Sequence, residues 1–276
     1  RLAPTNITPS LNLNATYSQG LVGHFDASDL STIGFSSGAL VNSWTSKGGI
    51  LGLTLTQTNP LVAPSLVQNA QNGFPGIRFT YVSSPSVSGN FLSSPLTYSN
   101  IQLMSQQTNP EFTVFIVTTR LQSNTGGTIM NIARGGNTRC LIKPSESEVV
   151  YEGAGGSTLR QISRLTSSFG IGSPYIIMLS RRGLTTTQRT NGNSNGTTTF
   201  STNLNFTGTG YSIRLGGYSN PDTTLAQLYG GDIYEIVMFR NALTDQAIYQ
   251  IEGYLAWKWG VQASLPTTHP YYRVRP

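Results

Sequence analysis

The stretch LTDQAIYQIEGYLAWKWG (Leu243–Gly260) has a different pattern from the rest of the chain. Around it, short strand-like segments are separated by Gly, Asn, Ser and Thr. Within it, Ile248, Ile251 and Leu255 recur at intervals of three and four residues, the spacing of one helix face. We therefore predict a single long amphipathic helix over residues 244–259 in a chain otherwise built from strands.

Both ends of this helix carry residues that are suited to cap it. The Thr244 hydroxyl can accept a backbone N–H of the first turn, and the helix dipole favours the acid Asp245 beside it. Gly260 stands where a left-handed residue commonly ends a helix. The boundaries of the helix are therefore predicted on both sides.

The remaining segments predict an all-β domain. EFTVFIVTTR (Glu111–Arg120) is a continuous β-branched and aromatic run, which indicates a strand buried on both faces. PYIIMLSRRG and TTTQRTNGN predict two paired strands followed by a tight turn at Asn191 and Gly192. GGTIMNIARGG and TRCLIKPS predict a second pair.

The composition narrows the classes of partner. Charged residues are 10% of the 276 residues, against about 25% in an average soluble domain. The net charge of +6 comes from arginines scattered along the chain, so we predict no nucleic-acid partner, which would need clustered cations. No apolar run approaches the roughly 20 residues that cross a bilayer, so we predict no membrane span.

Several blocks occur in an order that matches a known family. LVGHFDASD, VNSW, FPGIRF and EFTVFIV precede the closing block GDIYEIVMFRNALTDQAIYQIEGYLAWKWG and then LPTTHPY. Together they resemble the laminin-G-like branch of the concanavalin A-like lectin/glucanase superfamily over residues 20–271. The closing block looks like a tail common in structural proteins of large DNA viruses and phages and in some bacterial surface proteins.

The resemblance implies a two-sheet antiparallel jelly-roll sandwich with one C-terminal amphipathic helix. It divides the chain into an extended N-terminal arm (1–19), a jelly-roll domain (20–262) and a C-terminal tail (263–276) that packs back on the domain. Trp257 and Trp259 would then pin the helix against the sandwich. The alternative is a sugar-stacking platform, but side chains two residues apart on a helix point in different directions.

Two further residues are predicted as structural anchors. Trp44, in a strand-like segment, is expected in the core. Glu235 shares its predicted strand face with Ile233 and Val237, where an unpaired carboxylate would be costly. We expect an arginine or backbone donors to satisfy Glu235, and Arg78 is one candidate.

Catalysis is not predicted. Glucanases of the superfamily carry a Glu-x-Asp-x-x-Glu strand that places alternate acids over the scissile bond, about 5 Å apart in a retaining enzyme. The nearest segment here, SESEVVYEG, has Glu146, Glu148 and Glu152, which differ from that motif in spacing and residue type. We interpret this segment as a solvated strand edge.

No metal or other cofactor is predicted. His24 and His269 lie at opposite ends of the chain and show no zinc-ligand spacing. Calcium stays open, because laminin-G-like domains often bind it through loop oxygens and Asp26, Asp29 and Asp222 are oxygen donors. We expect Asp26 and Asp29 to cap turns instead.

Sugar binding needs an exposed aromatic face with amides or carboxylates near it. The segments VVYEG and GGYSNPD supply Tyr151, Tyr218, Asn220 and Asp222. These four are the carbohydrate-binding candidates of the sequence, although strand ends and turns in many sandwiches carry the same residue types.

Three functions are compatible with one fold, because a sandwich scaffold serves several. The first is a non-catalytic structural or attachment protein on the virion surface, whose partners are other capsid proteins and host glycans. The second is a secreted or cell-surface lectin, and the third is a glycan-cleaving enzyme. We predict the first, on the resemblance of the tail.

Overall fold

A computed structural model describes residue 13 and residues 20–82, 88–95, 97–104, 109–123, 127–134, 138–143, 146–152, 158–164, 170–199, 209–219, 225–226 and 228–276. This part of the chain folds as a two-sheet antiparallel jelly-roll sandwich with one long helix at its C-terminal end. The predicted fold class is confirmed.

The strands of the first half of the chain are β1 Leu21–Asp26, β2 Ile33–Ser37, β3 Leu40–Thr45, β4 Thr54–Thr56, β5 Ser65–Gln71, β6 Phe74–Phe79, β7 Tyr81–Val82, β8 Ser88–Gly89, β9 Leu92–Ser93, β10 Tyr98–Ser99 and β11 Phe112–Arg120. Those of the second half are β12 Met130–Arg134, β13 Thr138–Ile142, β14 Glu146–Glu152, β15 Thr158–Arg164, β16 Pro174–Arg182, β17 Thr185–Thr190, β18 Asn193–Thr199, β19 Thr209–Leu215, β20 Tyr218–Ser219, β21 Leu225–Ala226 and β22 Gly231–Phe239. The helices are α1 Asn100–Leu103 and α2 Asp245–Lys258.

The strands form two sheets, named the front sheet and the back sheet. The front sheet has the order β18-β17-β16-β11-β22, with β1 and β6 both on the remaining edge of β22 and β5 beyond β6. The back sheet has the order β15-β14-β13-β12-β19, with β9 and β10 on the remaining edge of β19, followed by β4, β3 and β2. A pairing between β3 and β5 joins the two sheets.

The space between the sheets holds the main apolar core. Trp44 of β3 is fully buried there and meets Phe25 of β1 edge to face, with ring centroids 5.6 Å apart. Large aromatic pairs of this kind contribute beyond the area that they bury. Trp44 therefore lies at the centre of the sandwich.

The central strand β11 is buried on both faces. Val114 and Ile116 point into the core between the sheets, whereas Phe115 and Val117 point into a second apolar cluster beneath α2. The predicted double burial is confirmed, and its cause is a third layer: α2 covers the outer face of the front sheet.

Two predicted strand pairs are confirmed. β12 pairs with β13, and β16 pairs with β17, which turns into β18 at Asn191 and Gly192. These two residues have φ values of +46° and +75°, the left-handed conformation that a two-residue hairpin turn requires.

Helix α2 has the predicted boundaries and caps. The Thr244 hydroxyl accepts a first-turn N–H at 3.3 Å. At the other end Gly260 has a φ of +71°, and the Val261 N–H donates to the Ala256 carbonyl at 2.8 Å. This six-to-one bond with a left-handed glycine is a Schellman C-cap.

The second half of α2 is buried except at Trp257, although the sequence pattern predicts a single apolar face. The front sheet covers one side, and the chain after the helix crosses the other. A Cβ atom at Gly253 would lie 2.6 Å from Cβ of Tyr271, so the close crossing requires glycine there. Trp257 Nε1 donates to the Tyr271 carbonyl at 2.9 Å and holds the tail in place.

The N-terminal arm contributes one described residue. Leu13 is buried in the cluster beneath α2. At least this position of residues 1–19 therefore packs against the domain.

The two helix tryptophans are expected to differ in their contribution to stability. Trp259 is fully buried and stacks on Tyr234 at 5.1 Å, whereas Trp257 is half-buried. Trp259→Ala should lower the free energy of unfolding by about 3–5 kcal/mol. Trp257→Ala should lower the free energy of unfolding less, by about 1 kcal/mol for the lost hydrogen bond and a further amount for the partial burial of the ring. Denaturant unfolding measures both values, and equal losses would contradict this assignment.

Candidate functional site

A β-bulge in β22 decides which side chains face α2. Val117 of β11 lies opposite Glu235, but the next residue, Thr118, lies opposite Ile233, so Tyr234 is an extra residue. The bulge turns Tyr234 and Glu235 to the same side, towards α2, while Ile233 points into the core between the sheets. The prediction that Glu235 and Ile233 share a face was wrong, because strand alternation breaks at a bulge.

The buried carboxylate of Glu235 accepts four hydrogen bonds. Oε1 accepts from His24 Nε2 at 2.6 Å and from the Tyr254 hydroxyl at 3.1 Å. Oε2 accepts from Lys258 Nζ at 2.8 Å and from Trp259 Nε1 at 2.7 Å. Two of these donors, Tyr254 and Lys258, belong to α2 and a third, Trp259, is its C-cap residue, so this one side chain ties the helix to the front sheet.

Among the described residues, neither an arginine nor a backbone donor satisfies Glu235, contrary to the expectation, and the candidate Arg78 has a different partner. Its guanidinium forms a fork with Asp232, with Nε to Oδ1 at 2.7 Å and a terminal nitrogen to Oδ2 at 2.8 Å. Arg78 and Asp232 face each other directly across β6 and β22, and Glu235 lies beyond the bulge. The register therefore gives Arg78 a different acid.

Lys258 connects two buried acids. Its Nζ lies 2.6 Å from Oδ2 of Asp26 and 2.8 Å from Oε2 of Glu235, and Lys47 also donates to Asp26. Burial alone would raise the pKa of Glu235, but the charge of Lys258 and the His24 hydrogen bond hold that pKa far below its usual value. Burial likewise opposes the charge on Lys258, yet the two carboxylates raise its pKa. Two acids and two lysines balance one another.

The same cluster contains three potential metal ligands. His24, Asp26 and Glu235 each offer a ligand atom, and these atoms lie within 4.8 Å of one another. The Lys258 ammonium, however, already bridges the two carboxylates, and the other oxygen of Asp26 accepts from Ser28 at 2.6 Å. The donor set is thus satisfied by protein groups, and the cluster acts as a structural tie.

Asp29, the other candidate calcium ligand near this strand, caps a turn. Its Oδ1 accepts from the backbone N–H of Ser31 at 3.2 Å. Asp222 lies outside the described residues.

A second buried ion pair fixes the outer side of α2. The Arg189 guanidinium donates hydrogen bonds to both carboxylate oxygens of Glu252, each at 2.9 Å, and lies 4.7 Å from the centre of the Tyr249 ring. His269 of the tail donates from Nε2 to Glu252 at 3.3 Å, since its Nδ1 accepts the N–H of Tyr271. Burial opposes the charge on Arg189, but the charge of Glu252 leaves the arginine pKa raised.

A cleft of about 300 Å³ opens between the outward face of β16 and β17 and the first turns of α2. Met178 and Ile248 are buried and form its apolar floor. Hydroxyls of Ser180, Thr185 and Thr187 line the wall on the sheet side. The volume is at the lower end of the range of about 300–1,000 Å³ for ligand sites.

The rim of this cleft carries one cation and one anion. Arg182 donates to the Leu243 carbonyl at 3.0 Å, and Asp245 starts the helix on the same side. The approach of the helix is set by Thr113 of β11, whose hydroxyl accepts the Leu243 N–H at 3.1 Å and donates to the Asn241 carbonyl at 3.0 Å. This cleft is the candidate binding site.

The carbohydrate-binding residues predicted from the sequence are not brought to this cleft by any described contact. Tyr151 lies in β14 and Tyr218 in β20, but their side chains are outside the described part of the chain. Asn220 and Asp222 lie outside the described residues altogether. Their role stays a prediction.

The acid-rich segment has a different place in the fold from the expected one. Glu146, Glu148 and Glu152 belong to β14, which pairs with β13 on one side and with β15 on the other. The interpretation as a strand edge was wrong, because the following segment returns as β15 and covers that edge. The side chains of these acids are outside the described part.

Sequence reasoning missed two groups, of which one had a signal. Lys258 falls three residues after Leu255 on the apolar stripe of the helix, and a lysine on such a stripe indicates a buried cation that needs an acid. The outward face of β17, with Thr185, Thr187 and Arg189, carries no such signal, because the buried residues that alternate with them are also polar.

No protein-family model and no curated protein sequence matches the chain. Solved structures do match. The binding domain of Paraclostridial Mosquitocidal Protein 1 has 10% identity and a TM-score of 0.53, over 85% of this chain and 52% of that one. The botulinum neurotoxin serotype D binding domain has 9% identity and a TM-score of 0.50, over 84% and 51%.

Domain 4 of AbnA, an extracellular arabinanase from Geobacillus stearothermophilus solved with arabinotriose, has 17% identity and a TM-score of 0.49, over 83% of this chain and 96% of that one. The chain spans about half the length of the two toxin domains. At these identities the likeness to the two toxin domains shows the fold alone, a β-sandwich.

The charge balance around Lys258 yields a test. Lys258→Met removes the ammonium that pairs with both buried carboxylates, leaves Lys47 on Asp26 only, and should lower the free energy of unfolding by about 3–5 kcal/mol. Adding Glu235→Gln restores neutrality, so the double variant should be more stable than Lys258→Met alone. Denaturant unfolding of the wild type, both single variants and the double variant measures the coupling. Simple additivity of the two losses would show that the groups do not interact.

Proposed function

We propose that this chain is a non-catalytic module that binds glycan at the cleft beside α2 and is carried on the surface of a virus particle. The observation that carries the binding proposal is the composition of the cleft. Sugars present C–H faces and hydroxyl edges, and the cleft offers an apolar floor of Met178 and Ile248 beside the hydroxyls of Thr185 and Thr187.

The fold supports a binding role. The two solved structures with TM-scores of 0.53 and 0.50 are both binding domains of toxins, and both share the sandwich over more than four-fifths of this chain. Because one scaffold serves several functions, this support extends to the class of function, and the cleft supplies the site.

The distribution of carboxylates supports a module without catalysis. Glycoside hydrolysis generally uses a pair of carboxyl groups beside the scissile bond. Among the described residues that line the cleft, Asp245 is the only acid. Asp26, Asp232, Glu235 and Glu252 are buried, and each is paired with a lysine or an arginine.

The virion location rests on the resemblance of the closing block to tails of viral structural proteins. A rigid sandwich with few charges and many hydroxyls is suited to contacts with capsid neighbours and with host glycans. No helix in the described residues has both the length and the apolar character to cross a bilayer. The alternative is a secreted or cell-surface lectin, which would use the same cleft.

Glycan binding is tested on an array of neutral and acidic oligosaccharides. The double variant Thr187→Val/Arg182→Met should lose at least about tenfold in affinity, because a tenfold change corresponds to about 1.4 kcal/mol, the scale of one or two hydrogen bonds. Thr56→Val, the same hydroxyl loss on the back sheet, is the matched control and should bind normally.

Two further results would count against the proposal. Loss of binding in Tyr151→Ala or Tyr218→Ala, with the cleft variant unaffected, would move the site to the residues predicted from sequence. Release of reducing ends from the bound glycans, abolished by Glu148→Gln, would make the protein an enzyme.

The virion location is tested on purified particles. Mass spectrometry should detect the chain, and antibodies should label it on intact particles. The N-terminal arm (1–19) is a candidate for the segment that attaches the domain to a neighbouring capsid subunit. If it is, deletion of residues 1–12, which keeps the buried Leu13, should leave glycan binding unchanged and prevent incorporation into particles. Absence of the full chain from particles would favour the secreted lectin.

A further inference from the structure

We infer that the cleft selects a neutral sugar residue, held by a pair of neighbouring hydroxyls between Arg182 and Asp245. This inference rests on the proposed glycan binding and specifies its ligand class. It follows from the charges at the cleft, from the donors and acceptors at its rim, and from its apolar floor.

The charged groups at the cleft form two sets, and each set has no net charge. Arg189 lies in the wall, but both oxygens of Glu252 pair with it at 2.9 Å, so that charge is already neutralised. Arg182 and Asp245 lie at the rim, and within the described part of the chain neither has an opposite charge at ion-pair distance. One unpaired cation and one unpaired anion therefore face the same cleft.

This arrangement disfavours a charged ligand. A uronic acid would be attracted to Arg182 but would bring a second carboxylate close to Asp245. An amino sugar would be attracted to Asp245 but would bring a second cation close to Arg182. In either case one rim group would lose water without gaining a partner, which costs free energy. A neutral ligand with hydroxyls at both positions avoids this cost.

A vicinal pair of hydroxyls satisfies both rim groups at once. The Asp245 carboxylate only accepts, so it takes the O–H hydrogens, whereas the Arg182 guanidinium only donates, so it binds the hydroxyl oxygens. Hydrogen bonds to charged groups of this kind are the stronger ones. One nitrogen of Arg182 is held by the Leu243 carbonyl at 3.0 Å, which fixes the guanidinium while its other donors stay available.

The floor of the cleft fits the remaining surface of a sugar ring. Met178 and Ile248 offer apolar contact to the C–H face, and the polar groups at the wall and rim surround it. A volume of about 300 Å³ restricts the site to a short segment of a glycan. The rest of a longer chain would extend into solvent.

The test is a calorimetric titration of the full chain with matched pairs of methyl glycosides. Glucose and galactose are the neutral probes, and glucuronic and galacturonic acid are their charged counterparts. The wild type should bind a neutral member more tightly than its acid. Deoxy analogues that lack one hydroxyl of the pair should lose about tenfold, as expected for a charge-assisted hydrogen bond.

Two charge variants separate the rim groups. Asp245→Asn should weaken the neutral sugar and strengthen the uronic acid, because it removes the repulsion. Arg182→Gln should weaken both. Asp29→Asn is the matched control, since Asn also caps the turn at that position and Asp29 lies far along the chain from the cleft. Thermal unfolding checks that each variant is folded.

The outcomes distinguish this inference from the function on which it rests. Two results would overturn the neutral-diol assignment and leave glycan binding intact. One is tighter binding of uronic acids than of neutral sugars by the wild type. The other is a ratio of the two affinities that Asp245→Asn leaves unchanged. No binding of any sugar on the array or by titration would overturn the proposed function itself.

Discussion

The ammonium of Lys258, held between the carboxylates of Asp26 and Glu235, is the interaction on which the outer half of the molecule depends. It joins the end of α2 to two neighbouring strands of the front sheet. The desolvation cost of such a buried network offsets most of its Coulomb energy, so its main contribution is to position rather than to net stability. Glu235 can reach this position only because the bulge in β22 turns it towards the helix.

The position of α2 in turn determines which residues of the front sheet line the cleft. Ties at both ends hold the helix: the ion cluster at its C-terminal end and the Thr113 hydroxyl at the turn before it. Between them the helix lies beside the end of β16 and the start of β17, and the cleft is the space between these strand segments and the first turns of the helix.

The C-terminal tail holds the far side of α2. His269 and Tyr271 cross α2, and Glu252 pairs with Arg189 in the wall of the cleft. That ion pair removes one positive charge from the site, so the charge that a ligand meets is set partly by residues that it does not touch. The back sheet, by contrast, contributes the sandwich core and leaves the cleft to the front sheet and the helix.

The elements that depend on local patterns were predictable from the amino-acid sequence. The 3–4 spacing of Ile248, Ile251 and Leu255, the caps at Thr244 and Gly260, and the Asn191–Gly192 turn all follow from neighbours in the chain, and the structure has them at those positions. The antiparallel sandwich follows from the strand patterns and the family resemblance. These features could be predicted because each requires only a short segment.

The partners of the charged residues and the location of the cleft depend on contacts between distant parts of the chain. The partner of Arg78 depends on a register across β6 and β22, and the direction of Glu235 depends on one extra residue in a pairing with β11. Arg182 and Asp245 are more than sixty positions apart and meet at one cleft because the helix lies across β16 and β17. Pairing and packing between distant segments set these contacts, and no short segment carries that information.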